Sequence, residues 1–407
     1  MRRITIIGAG QAGLLLGLGL LKDGYDVTLV SDRTPDEIRD GAVMSTQALF
    51  GDSLQIEREM GLALWDKKCP EIAGVSFKLA GPDGGKALAW SAPFEAPAQS
   101  VDQRLKMPAY LNKFLERGGD LIVKKADLKD LENFAALSDL IVVATGKGEL
   151  GSLFERDAER SPYDRPQRSL AVCYVHKMKP DPAGRAVDLN IIPGVGEYVV
   201  IPGLTKSGPC DQMFFEGLPG GPFDAFQDVR SSEEHLEQAK SLLKRFVPWQ
   251  AERCGDAALA DADATLRGRF APTVRKPIGK LPSGKLVLGL ADAVVLNDPI
   301  TGQGANNAVK CADLYRKRIV ERGDRPFDAG WMQETFDLYW DYARWVTTFT
   351  NTMLQPPSPH LQKILGAAAS QPKVAHRFVN SFIDPKDFFP WLTDAAAADR
   401  FLAEHAS

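Results

Sequence analysis

Residues 4–33 read strand, glycine turn, helix, strand, and few folds accommodate that order. Ile4-Thr5-Ile6-Ile7 is an apolar run that breaks at Gly8-Ala9-Gly10-Gln11-Ala12-Gly13. An apolar helical stretch over 14–21 follows, and Tyr25-Asp26-Val27-Thr28-Leu29-Val30 returns as a second strand. A βαβ unit of about 30 residues with G-x-G-x-x-G at its first turn is a dinucleotide fingerprint. Gly8 makes the tight turn, Gly10 removes the side chain that would hold a pyrophosphate off the backbone, and Gly13 lets helix and strand approach. The helix then presents unpaired amides and a positive dipole end to the phosphates. Gln11 and Ala12 lie inside that turn. Asp32, with Arg33 beside it, closes the second strand where such folds hold the adenine-side ribose; a plain turn through Thr34-Pro35-Asp36 is the other reading.

The rest of the chain must build around this unit, and composition says how. A chain of 407 residues, 44% hydrophobic and 25% charged, suggests two or three subdomains. Five scattered cysteines without C-x-x-C spacing read as reduced thiols in a cytoplasmic protein. The first strand begins at Ile4, which leaves no room for a secretory leader, and no apolar run reaches spanning length. A net charge of −4 gives no reason to expect nucleic acid or an acidic membrane surface as partner.

The alternation over 44–62 predicts a helix with Ser45, Gln47 and Leu49 at its entry, where Ser45 or Thr46 serves as a cap. Ser76-Phe77-Lys78-Leu79 and Ala87-Leu88-Ala89-Trp90 read as a hairpin through Gly81-Pro82-Asp83-Gly84-Gly85. A helix over 107–117 and two buried parallel strands, Leu121-Ile122-Val123 and Leu140-Ile141-Val142-Val143, return the chain to the dinucleotide domain. From 168 to 275 the pattern turns β-rich, with a helix opened by Ser231. Leu286-Val287-Leu288-Gly289-Leu290-Ala291-Asp292 reads as a buried strand ending in a carboxylate. The loop from Asn297 to Ala308 is glycine-rich and opens another helix, so two ligand loops at opposite ends of the chain suit an extended cofactor. Gly279-Lys280-Leu281-Pro282-Ser283-Gly284-Lys285 nearly matches a P-loop, but it lacks the hydroxyl residue and precedes a strand, so a hairpin turn is expected. The aromatic helix over 331–353 reads as core, with a homodimer contact also open, and the tail as a helical cap. Five histidines show no ligand spacing and read as surface or capping residues; no metal site is expected.

Gly8-x-Gly10-x-x-Gly13, Ala144-Thr145-Gly146, Gly289-x-Ala291-Asp292 and Pro299-x-x-Gly302-Gln303-Gly304-x-Asn306 resemble the FAD motifs of flavoprotein monooxygenases of the p-hydroxybenzoate hydroxylase fold. Val101-Asp102-x-Arg104-Leu105, Thr145-Gly146-Lys147, Ser161-Pro162-x-x-x-Pro166-Gln167-Arg168 and Asp298-Pro299 further resemble the two-component styrene and indole monooxygenases, from about residue 3 to about residue 385. The resemblance implies an α/β protein: a Rossmann-like FAD-binding domain (1–70, 100–165 and 280–325), an inserted, mostly antiparallel β-sheet substrate domain (71–99 and 166–279) and a C-terminal helical region (326–407). It places Arg104 near the phosphates, Asp292 on the ribityl chain and 299–306 beside the isoalloxazine ring. Single-component hydroxylases carry Asp-Gly where this chain has Thr145-Gly146, which implies reduced FAD delivered by a separate NADH-dependent flavin reductase.

The implied reaction is epoxidation of a small aromatic alkene by O2 through a C4a-hydroperoxyflavin, with an apolar pocket and no catalytic acid–base pair. Ser45, Gln47, Ile72, Val75 and Ala98 resemble the indole branch, where styrene-epoxidising members carry Asn, Val, Tyr and His at the first four; Leu49 replaces the Met expected of that branch. Indole, leading to indigo, is therefore the expected substrate, with styrene second. A reductase or redox-neutral cyclase built on the same cofactor motifs is the alternative, and a flavin-binding protein without turnover a third reading.

Overall fold

The computed structural model describes residues 2–146, 148–182 and 184–405. Arg3–Ile7 pairs in parallel with Asp26–Ser31, Ile4 opposite Val27 and Ile6 opposite Leu29. Helix Gln11–Lys22 between them is buried from Gln11 to Leu20, because its Leu14, Leu15, Leu16, Leu18 and Leu20 leave it no polar face over that stretch. Among the described residues these strands belong to a sheet in the order Ile278–Lys280, Leu286–Gly289, Leu140–Val143, Arg3–Ile7, Asp26–Ser31, Asp120–Val123. All neighbours are parallel except the first pair, an antiparallel hairpin, so the P-loop-like segment is a turn. Leu140–Val143 is buried throughout, whereas Asp120–Val123 is not: it forms the sheet edge, with a neighbour on one side only.

The second sheet runs Ala258–Leu259, Ser169–His176, Gly208–Gly217, Gly196–Thr205, Val187–Ile192, Glu71–Ala80, Lys86–Gln99. It is antiparallel apart from Glu71–Ala80 beside Val187–Ile192. A parallel neighbour needs a long crossover, and the return of the chain through the first sheet between these strands supplies it. Period-two alternation gives this sheet two apolar faces. Ala171, Cys173, Tyr198, Val200, Met213 and Phe215 pack under helix Ser232–Phe246, whose cap Ser231 accepts from the Glu234 amide. Val172, Tyr174, Val199, Ile201 and Phe214 face the other way, joining Ile72, Val75 and Ala98 and the C-terminal Phe349, Phe378 and Phe388.

Helix Ala329–Met353 ties the layers together, with Phe336, Tyr339 and Ala343 in the dinucleotide-domain core and Phe349 in the second. Most of its aromatic face is thus covered by its own chain, with Trp340 left partly exposed. The helix expected over 44–62 forms only as Gly51–Glu59. Upstream, Leu49 exchanges both backbone hydrogen bonds with Gln99 at 2.8 and 3.0 Å, which holds Ser45, Gln47 and Leu49 in an extended segment against the second sheet. Among the described residues no helix is long and apolar enough to cross a membrane, and no His, Cys, Asp or Glu group is arranged to hold a metal.

His235 departs from its expected surface role. It is 3% exposed on helix Ser232–Phe246, its ring 4.6 Å from that of Phe226. Burial, helped by Arg267, pushes the imidazole down to about 4. The unfolded chain binds a proton there below ~6.5, so the stability of the neutral ring is present above that pH and is lost as pH falls through about 4. In thermal melts the difference between H235F and the unaltered protein should therefore move in favour of the variant as pH drops across that window; a pH-independent difference would contradict a buried neutral histidine.

Candidate functional site

The turn after the first strand has a backbone that only glycine adopts easily, with Gly8 at φ +114°. A Cβ on Gly13 would lie 2.0 Å from the Gly8 carbonyl oxygen, so the helix seats directly on the turn. A Cβ on Gly10 would meet nothing within 4 Å, which leaves the outer face of the turn open. Gly10 caps the helix without a side-chain bond, and the first-turn amides keep their donors for a ligand. Gln11 anchors this first turn: its Nε2 donates to Glu57 Oε1 at 2.7 Å, and the Lys106 ammonium closes on the same carboxylate at 2.6 Å, all three buried.

Three segments far apart in sequence converge here. Thr145 Cγ2 would be 3.2 Å from a Cβ on Gly8, and a Cβ on Gly146 would be 2.6 Å from the Asp292 carbonyl oxygen. The strand Leu286–Gly289 ends earlier than expected, and Asp292 sits in a one-turn helix, Ala291–Ala293, with an exposed carboxylate. Ala291 is held at φ +50°, which costs a non-glycine residue on the order of 1–2 kcal/mol. Such strain marks functional turns. Asp32 and Arg33, paired with each other at 3.4 Å, follow Asp26–Ser31 beside the Gly8 turn, whose amide donates to Val30 O at 2.8 Å. Lys147 lies outside the described residues.

In the second glycine loop Asp298 Oδ1 accepts from the Ile300 amide and caps the turn Pro299–Thr301, which Gly302 closes at φ +65°. Asn306 accepts from the Phe50 amide and donates to Ala48 O, both at 2.9 Å, stitching this loop to the extended segment. Gln303 donates to Phe382 O, but its Oε1 is buried without a partner, as are both polar atoms of the Asn307 side chain. Buried polar atoms without partners carry a desolvation penalty that a bound polar group would relieve.

The expected pocket residues divide. Ile72 and Ala98 stand opposite each other in register and, with Val75, belong to the apolar cluster under the second sheet. Ala48 and Phe50 point to that cluster, whereas Leu49 packs into the dinucleotide-domain core. Gln47 Nε2 donates to Val101 O at 2.9 Å, and Gln47 and Leu49 border a cavity of about 10 Å³ with Glu57 and Lys106, room for one water. The Ser45 hydroxyl accepts from Gln103 Nε2 at 2.7 Å.

Arg104 also differs from expectation. Its guanidinium is fully buried and donates to Asp102 at 2.8 and 3.0 Å and to Asp261 at 2.9 and 3.0 Å. These carboxylates outweigh burial and raise its affinity for the proton; its planar fork is matched by protein, leaving no donor face for phosphate.

A group that sequence reasoning passed over is Arg168, Glu197, Glu216 and Asp298, all buried. Arg168 and Asp298 stand in motifs quoted above, but the two glutamates leave only the trace of an acid next to an apolar run, Glu197 before Tyr198-Val199-Val200 and Glu216 after Phe214-Phe215. That the two acids face each other depends on strand register, which no local pattern encodes.

An open glycine cradle on a helix N-terminus, the exposed Asp292 in the one-turn helix beside Gly146 and a second glycine loop with unpartnered buried side-chain amides fit FAD. Solved structures share the whole architecture: a flavoprotein/dehydrogenase from Cytophaga hutchinsonii (TM-score 0.70, 15% identity, 99% of this chain and 98% of that one), flavin-dependent brominase Bmp2 (0.66, 15%, 99% and 98%) and p-nitrophenol 4-monooxygenase PnpA from Pseudomonas putida DLL-E4 (0.64, 14%, 95% and 99%). Residues 146–253 match the family model "Styrene monooxygenase A putative substrate binding domain". Styrene monooxygenase StyA from a Pseudomonas species and that from Pseudomonas fluorescens are each 30% identical over 393 residues, 95% of this chain and 94% of theirs. The protein is a flavin-dependent monooxygenase. More narrowly, the chain belongs to the two-component styrene monooxygenase family, takes FAD and depends on a separate flavin reductase.

The two loop glycines should respond differently to alanine. In G13A the methyl group collides with backbone, so stability falls by about 1–3 kcal/mol in urea unfolding. G10A should melt like the unaltered protein while binding FAD at least about tenfold more weakly by fluorescence titration, a loss of about 1.4 kcal/mol. Equal FAD affinity in G10A would remove the pyrophosphate from this turn.

Proposed function

We propose that this protein epoxidises indole, with styrene as a second substrate, using reduced FAD and O2. The observation that carries the reading is the aliphatic set Ile72, Val75 and Ala98, brought into one apolar cluster with Val199, Ile201 and Phe214 on the face of the second sheet that meets the C-terminal helices. A planar aromatic alkene without charge suits such a surface. The relatives are named for styrene oxidation. Ser45, Gln47 and the aliphatic residues at 72 and 75 separate this chain from the Asn, Val, Tyr and His of styrene-epoxidising members.

In this reading Gly8 to Gly13 hold the pyrophosphate, Asp32 and Arg33 the adenine-side ribose, Asp292 the ribityl chain, and Pro299 to Asn306 border the ring. FAD, when bound and reduced, supplies the electrons that activate dioxygen. The residues of the chain then orient the alkene and exclude water from it. Ser45 and Gln47 act on specificity by shaping the extended segment, since both side chains are hydrogen-bonded to protein. Thr145 stands where NADPH-using relatives of this fold carry an acid, so reduction falls to the partner reductase.

Supplied with FAD, a flavin reductase, NADH and indole, the protein should form blue indigo, and with styrene it should form styrene oxide. Absence of both products would end the proposal. NADH alone under anaerobic conditions should leave bound FAD oxidised; bleaching of the flavin would refute the role given to Thr145. S45N combined with Q47V should shift the kcat/KM ratio at least about tenfold from indole towards styrene, about 1.4 kcal/mol in relative transition-state binding. Q47V alone should lose about 1–3 kcal/mol of stability, because Val101 O is left without its buried donor.

A further inference from the structure

Glu216 and Glu197 stand directly opposite each other on neighbouring antiparallel strands of the inserted sheet. By alternation they share the face of Phe214 and Val199, and they are only 1% and 6% exposed. Residues so opposed have Cβ atoms about 4.5–5.5 Å apart, and like charges there repel. One cation serves both. Arg168, at the head of the strand on the other side of Glu216, forks onto Glu197 at 2.7 and 2.9 Å and gives its remaining described bond to Gln167 O. Glu216 Oε1 is buried and has no partner. The charged groups facing Glu216 are Glu197, Asp298 and Arg168, and Asp298 brings its 2%-exposed carboxyl from the loop that begins Pro299–Thr301.

Three buried carboxyls around one guanidinium cannot all be ionised. Burial, then the charges of Glu197 and Asp298, push Glu216 well above the carboxylate range; burial pushes Asp298 up to about 6 against the pull of the Ile300 amide and Arg168. The arrangement keeps a proton inside the sheet, next to the loop assigned to the flavin ring.

We propose that Glu216 is a neutral carboxylic acid that stores a proton behind the Pro299 loop and, by way of Asp298, supplies the proton consumed by oxygen transfer. The balance requires one: anionic reduced flavin, a proton, dioxygen and alkene become oxidised flavin, epoxide and water. The O–O bond and the alkene π bond break and two C–O bonds form. Dioxygen takes two electrons from the flavin and two from the alkene, one oxygen atom leaves as water, and Glu216 is reprotonated from solvent. The storage of the proton stands on the buried cluster; its use rests on the oxygen-transfer reading.

The first test is infrared spectroscopy of the flavin-free full chain at neutral pH, where a carbonyl band of a protonated carboxylic acid should be present and should vanish in E216Q. Glutamine copies the shape of the neutral acid, so the variant should fold. Because the folded acid holds its proton above the ordinary value of ~4.3, the unaltered protein should lose stability as pH rises from there, and E216Q should lose less. The second test is the fraction of reduced FAD converted to product and not to hydrogen peroxide, read against pH. E216Q and D298N should lose at least threefold in this fraction at alkaline pH with KM for indole unchanged. A band that persists in E216Q overturns storage, and a coupling profile that superimposes on the unaltered protein in both variants overturns supply. If the unaltered protein makes no product, the oxygen-transfer reading fails, while the infrared result still decides whether Glu216 holds the proton.

Discussion

The buried guanidinium of Arg104 is the contact on which the relation between the two sheets depends. It belongs to helix Gln103–Glu116 of the dinucleotide domain, and the groups that neutralise it come from both sides: Asp102 on its own helix cap, Asp261 and Thr205 from the inserted sheet domain. Removing an arginine from water costs several kcal/mol, and the two carboxylates offset that only when both stay in place. Asp261 is held below its usual range by Arg104 despite its partial burial. Any slippage between the domains would leave a charge unpaired in the interior, which holds the second sheet in place against helix Gln103–Glu116.

With that position set, the inner face of the sheet acquires two characters. Its middle is aliphatic and aromatic, and packs against the C-terminal helices, which shield it from solvent. One end is ionic, where Arg168, Glu197 and Glu216 meet Asp298 from the loop assigned to the flavin ring. The low dielectric of the first part strengthens the charge interactions of the second, and an excess of acid over base there favours proton retention. The proposed oxygen transfer asks for both, a dry surface for the alkene and a proton at the oxygen.

The parts that were readable in the chain are those in which neighbours in sequence are also neighbours in space. The Gly8 to Gly13 turn, the hairpin over 76–90, the Ser231 cap and the hairpin hidden in the P-loop-like segment all follow from local steric rules. The segment 44–50 misled for the same reason: its alternation is as compatible with a strand as with a helix, and the deciding bonds come from Gln99. The family resemblance puts Arg104 near the phosphates, whereas the carboxylate partner that occupies its guanidinium, Asp261, lies 157 residues away in sequence.

Local sequence, then, determined the glycine turn and helix N-terminus on which we place the dinucleotide, since glycine geometry and strand–helix–strand order leave the backbone little choice. Resemblance extended that to FAD and the oxygenase family. Tertiary structure alone decided which side chains share the inner apolar face of the second sheet, that Gln47 and Leu49 turn away from Ile72 and Ala98, and that Glu197 and Glu216 are forced together. Those outcomes depend on strand register and on the docking of one sheet over another, and both are set by contacts between residues that are remote along the chain.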